Sequence, residues 1–169
     1  MLHKLCAFLA IIFCTAAPWP ANAEDMQQID RILVQKSTRK MYLYNNNEIV
    51  KEYTIRLGRN PIGTKIKEGD NRTPEGDYTI VSHNPHSAYH LSLRISYPTA
   101  AQKSEAQQKG YSAGGDIMIH GFPNKSPAFL FRFIHAIRDW TAGCIAVSNQ
   151  EIEEIYSLVK DGTPIRIEP

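Results

Sequence analysis

The stretch Asp139-Trp140-Thr141-Ala142-Gly143-Cys144-Ile145-Ala146-Val147 holds the residue best suited to covalent chemistry, a cysteine between a glycine and a short apolar run. A thiolate attacks carbonyl carbon well, but a free thiol near neutral pH is mostly protonated. It needs a base or a cation at hand, and imidazole is the usual one. His120 is the first candidate, because it ends an expected strand and Gly121 after it lets backbone approach closely. Enough chain separates His120 from Cys144 for a strand end, a loop and a helix before the chain returns alongside. Gly143 permits a tight fold in which consecutive N–H groups face one point. That is the arrangement of an oxyanion hole, where one donor is typically worth about 2.7–4 kcal/mol. Together these residues describe acyl transfer from an amide. The plainer alternatives are an inert buried cysteine, since free Cys is among the most buried residue types, and a structural histidine with its hydrogen bonds satisfied.

The elements that must position these groups are mostly short strands. Arg31 to Lys36, Lys40 to Tyr44 and Glu48 to Leu57 succeed one another across turn residues, which predicts an antiparallel meander. Gly58 to Asn71 is rich in Gly, Asn, Pro and charge, and long loops in compact domains are often functional. Thr73-Pro74-Glu75-Gly76-Asp77 has turn chemistry. Tyr78 to Ser82, His90 to Ser96 and Asp116 to His120 read as further strands. Thr99 to Lys109 reads as a polar helix, and Ala128 to Asp139 as a second one with apolar residues at i, i+1, i+4, i+5 and i+8. Cys144 to Val147 is a very short strand. Ser148-Asn149-Gln150-Glu151 forms a capping box that opens a helix burying Ile152, Ile155, Leu158 and Val159. Thr163 to Glu168 closes the chain as a strand. The expected fold is one domain, mainly β with a few helices (α+β).

Residues 1–23 have the grammar of a secretory signal: a basic start, an apolar run from Leu5 to Ala17, and small residues at Ala21 and Ala23 before the cleavage point. Cleavage leaves a single domain over residues 24–169 with no stable membrane anchor. Cys6 and Cys14 leave with the signal, so Cys144 stands alone and cannot staple the fold. The formal net charge of the whole chain is only +2, which gives no basic face for nucleic acid. A monomer without a cofactor is expected. One rival reading is a zinc hydrolase built on His83, His86 and His90. Pro85 interrupts that triplet and His90 opens a strand, so no metal site is expected.

Thr73-Pro74-Glu75-Gly76-Asp77-Tyr78, Ile119-His120-Gly121, Gly143-Cys144 and Gly162-Thr163-Pro164-Ile165, in that order, resemble the signatures of the L,D-transpeptidase catalytic domain (the YkuD type). The resemblance runs from about Ile32 to the C-terminus. It implies a YkuD-like β-sandwich, a periplasmic location and a cysteine acyl-enzyme formed on peptidoglycan stem peptides. By position the nucleophile falls on Cys144, the general base on His120, and the oxyanion donors on the amides around Gly143 and Cys144. The family's common Ser-His-Gly-Cys is Thr141-Ala142-Gly143-Cys144 here, and an arginine often found two residues on is Ala146. The Asp-Trp-Thr-x-Gly-Cys form resembles a branch that includes enzymes trimming or releasing peptides as well as cross-linking ones. Thr73, Gly121 and Thr141 are further candidates for contact with the substrate. Asp139 is a candidate to orient the base or to bind a substrate ammonium, and Arg138, Arg132, Arg94 and Arg72 suit peptide carboxylates. The base's second nitrogen has a backbone carbonyl as its other candidate partner. A non-catalytic wall-binding module is the remaining rival.

Overall fold

The computed structural model describes residues 28–169; the expected signal, residues 1–23, lies outside them. Strands β1 (Arg31–Gln35), β2 (Lys40–Asn45) and β3 (Glu48–Thr54) form the expected antiparallel meander. Alternation does the work: Ile32, Val34, Met41 and Leu43 turn inward and are fully buried, while their neighbours stay partly exposed. Then come β4 (Gly76–Ser87), β5 (His90–Ile95), helix α1 (Ala100–Gln108), β6 (Met118–His120), helix α2 (Ala128–Ile137), β7 (Ile145–Ala146), helix α3 (Asn149–Leu158) and β8 (Pro164–Glu168).

The strands make one eight-stranded mixed sheet in the order β3-β2-β1-β8-β4-β5-β6-β7. Only β1–β8 and β6–β7 are parallel. The ladder is continuous through β4, which serves both halves of the expected sandwich. β4 runs past Ser82 to Ser87, longer than expected, because Pro85 falls in a register shift where the ladder needs no N–H from it. After β3 the chain continues into bridges with the far edge of the sheet, Arg56 to Ala146 and Gly58 to Thr141. Both halves feed one core cluster, with Val34, Leu43 and Ile167 from one side and Leu93, Ile119 and Ile145 from the other.

Capping boxes open two of the helices. Thr99 and Gln102 cap α1, and Ser148 and Glu151 cap α3. Ile152 and Ile155 then bury α3 against the core. α2 has no side-chain cap and ends where Arg138 turns extended.

Candidate active site

Residues 139–144 form the turn that delivers the thiol to β7. Asp139 anchors its start. Arg39 donates to that carboxylate from Nε at 3.0 Å and Nη2 at 2.8 Å, and the Leu57 amide donates to it at 2.9 Å. Thr141 braces the middle: its hydroxyl donates to Cys144 O at 2.8 Å and accepts from the Gly143 amide at 3.1 Å. Gly143 has φ +140°, and a Cβ there would lie 2.7 Å from Arg72 O. Both facts require glycine where the two backbones cross.

Ile119 pairs with Ile145 and His120 with Ala146, in parallel. Side chains alternate faces along a strand. Ile119 and Ile145 therefore enter the core, and His120 shares the other face with Cys144, one residue before β7. His120 thus pairs two residues beyond Cys144 across this parallel join.

The His120 ring is buried. Tyr89 lies over it with ring centres 4.6 Å apart, and Trp140 meets it edge-on at 5.6 Å. Nδ1 bonds Gly121 O at 2.7 Å. A carbonyl only accepts, so Nδ1 carries the proton and Nε2 keeps its lone pair. Burial pushes the ring's pKa down to about 4, against the Gly121 hydrogen bond and with a small push from His135. Burial likewise raises the Cys144 thiol; the Met118 amide and Lys65 work against the rise, and Asp116 adds to it. The thiol donates to Asp116 O at 3.5 Å. The thiol and the imidazole are each uncharged near neutral pH.

A cavity of about 590 Å³ opens beside Cys144, walled by Ala142, Lys65, Glu68 and the turn from Gly114 to Ile117. Its Lys65 wall is built by the long loop marked in the sequence. Lys65 pairs with Asp70 at 2.9 Å, both nearly out of solvent. Burial alone would raise the Asp70 carboxyl, but Lys65 and the amides of Arg72, Ile66 and Lys67 hold it down to about 2. Sequence reasoning missed Arg39, Lys65, Asp70 and Tyr89. The turn chemistry of Gly69-Asp70-Asn71 was the one local sign of any of them.

Several expected roles change. Thr73 is wholly buried, with its hydroxyl accepting from the Gly58 amide at 3.0 Å, so it supports the loop and does not face a groove. Thr141 is also buried and uses its hydroxyl inside the nucleophile turn. The Gly143 amide goes to Thr141 and is not free for an oxyanion. Gly121 orients the base through its carbonyl, and a Cβ on it would lie 2.7 Å from Asn149 Oδ1. Asp139 neither orients His120 nor stands free for an ammonium, because Arg39 and Leu57 occupy it. Arg138 and Arg132 are exposed, whereas Arg94 pairs with Asp116 at 3.1 Å. The histidine triplet is divided: His83 bonds Asp161 at 2.7 Å and His90 bonds Glu153 at 2.6 Å.

A family model described as the L,D-transpeptidase catalytic domain (YkuD) matches residues 29–167. YafK of Escherichia coli K12, named as a candidate L,D-transpeptidase, is 25% identical, over 94% of this chain and 60% of YafK. The crystal structure of the helical cell shape determining protein Pgp2 from Campylobacter jejuni is similar at 26% identity and TM-score 0.61. That match covers 83% of this chain and 47% of Pgp2. Bd1075 of Bdellovibrio bacteriovorus is similar at 25% identity and TM-score 0.55, over 85% of this chain and 51% of that one. The chain thus spans about 60% of the length of YafK and about half of the two solved chains.

Proposed function

This chain belongs to the L,D-transpeptidase catalytic domain family, and from that membership we propose a periplasmic cysteine acyltransferase that acts on peptidoglycan stem peptides through a thioester on Cys144. The observation that carries the reading is one thiol and one neutral imidazole on the same face of adjacent strands, with the imidazole's accepting nitrogen set by Gly121 O. A peptide carbonyl enters the cavity beside Cys144. The thiol hydrogen leaves Asp116 O for His120 Nε2 as sulfur attacks the carbonyl carbon. The carbonyl oxygen becomes an oxyanion, and with the Gly143 amide engaged by Thr141 its donor is the amide of Cys144. The C–N bond then breaks, His120 returns the proton to the leaving amine, and the thioester remains.

An acceptor amine reverses the sequence: it loses its proton to His120, attacks the thioester and restores the thiol. Water as acceptor turns the same intermediate into carboxypeptidase or amidase chemistry.

The test is incubation of purified protein with sacculi, followed by mass spectrometry of the muropeptides, which names bond, acceptor and product together. Cys144→Ala abolishes product and His120→Ala lowers kcat by about 10²–10⁴-fold. Near-normal turnover by either variant overturns the corresponding assignment. An all-hydrolytic product set from wild type assigns the enzyme to trimming.

A further inference from the structure

α2 shows solvent its more apolar side. Phe129, Leu130, Phe133 and Ile137 are 75%, 44%, 65% and 63% exposed, and their spacing makes one stripe along the helix. The inner side is narrow. Phe131 meets Trp140 with ring centres 5.1 Å apart, and His135 is buried against Phe122 at 5.5 Å. An exposed stripe of this size marks a binding surface more often than an ordinary surface helix. Its charge is one-sided: Lys125, Arg132 and Arg138 are exposed, and residues 125–138 contain no Asp or Glu.

We propose that α2 is a reversible docking face for an anionic lipid bilayer, with Phe129, Leu130, Phe133 and Ile137 entering the acyl boundary and the three cations meeting lipid phosphates. Interfacial helices combine these features, bulky apolar residues on one side and Lys or Arg beside them. Each cation near an anionic surface strengthens binding roughly fivefold. Charge argues against the other occupants. A second copy brings the same three cations against the first set, and like charges facing each other across an interface repel. A glycan strand needs hydrogen-bonding groups for its hydroxyls, and no neutral polar or acidic side chain lies among the four apolar positions. The face lies on the surface only, since among the described residues no helix is long and apolar enough to cross a membrane. Trp140 touches both Phe131 and the His120 ring, so the docking helix is packed onto the residue that covers the base. The proposal does not depend on the chemistry assigned to Cys144.

Sedimentation of the purified protein with vesicles tests it. Wild type binds vesicles of equal parts phosphatidylglycerol and phosphatidylcholine at low salt, and binds at least about tenfold less to pure phosphatidylcholine or at high salt. Phe129→Ser with Phe133→Ser, and separately Lys125→Glu with Arg132→Glu, each lose at least about tenfold while keeping the wild-type circular dichroism and Tm. Absence of wild-type binding at low salt, equal binding to uncharged vesicles, or unchanged binding by either folded double variant overturns the proposal. A dimer seen by light scattering and lost in the phenylalanine variant assigns the face to a second copy instead. Loss of sacculus binding in that variant, with vesicle binding intact, assigns it to glycan.

Discussion

An imidazole held down to about 4 by burial is unprotonated across the neutral range, so it accepts the thiol proton without first losing one of its own. The acid limb of kcat/KM, which reports the free enzyme, is therefore expected near pH 4, and the alkaline limb above the ordinary thiol range because Cys144 is raised. An acid limb at 6.5 or higher in the pH–rate profile would mean that the ring titrates as an ordinary imidazole and that burial does not hold it neutral. Stability follows the same residue. Above pH 6.5 the ring is neutral in both folded and unfolded chains. Between about 6.5 and 4 the unfolded chain takes up a proton that the folded one refuses, so stability falls with falling pH, by up to about 1.4 kcal/mol per unit from this group. His135, also lowered chiefly by burial, adds in the same direction. Urea unfolding at several pH values should give a shallower slope over this window for His120→Asn than for wild type. Cys144 and His120 stood out in the sequence as a lone thiol beside glycine and a histidine closing an apolar strand, although an inert role for each stayed open there. The environment that makes the ring neutral was not legible, since Tyr89 and Trp140 reach it from separate loops.

Between residue and fold, the turn from Asp139 to Cys144 is held by side chains that the sequence reading assigned to substrate. Thr141→Val keeps the shape but leaves Cys144 O and the Gly143 amide without a partner. Its expected cost is about 1–3 kcal/mol, read as a lower urea midpoint, whereas Thr141→Ser keeps the hydroxyl and most of the stability. A valine variant as stable as wild type would remove the brace from the account. Spacing locates a turn next to a nucleophile but does not say whether its hydroxyl faces in or out, and here it faces in. α2 has the same character. Apolar periodicity gave the helix almost to the residue, yet could not tell which stripe would be covered. Phe131 and His135 took the inside because Phe122 and Trp140 were there to receive them.

The whole molecule is organised around β8, which lies between β1 and β4 in the middle of the sheet. Ile165 is paired with Ile32 on one side and Tyr78 on the other, and is buried. Ile165→Ala should cost about 2–5 kcal/mol. The neighbouring Arg166→Ala, which removes only solvent-exposed ion pairs to Asp77 and Glu168, should shift the urea midpoint far less, because exposed pairs are screened by water and salt. Equal losses in urea titrations of the two would displace β8 from the core. Strand positions, the meander and the capping box at Ser148 were legible because they depend on alternation and neighbours a few residues apart. The parallel joining of β1 to β8 was not, because a parallel partner can come from anywhere in the chain. That joining also sets an order of events during biosynthesis. Until residues 164–168 emerge from the ribosome, β1 and β4 have bare facing edges, and the nascent chain stays unclosed, the state in which a polypeptide can still be threaded through a narrow channel.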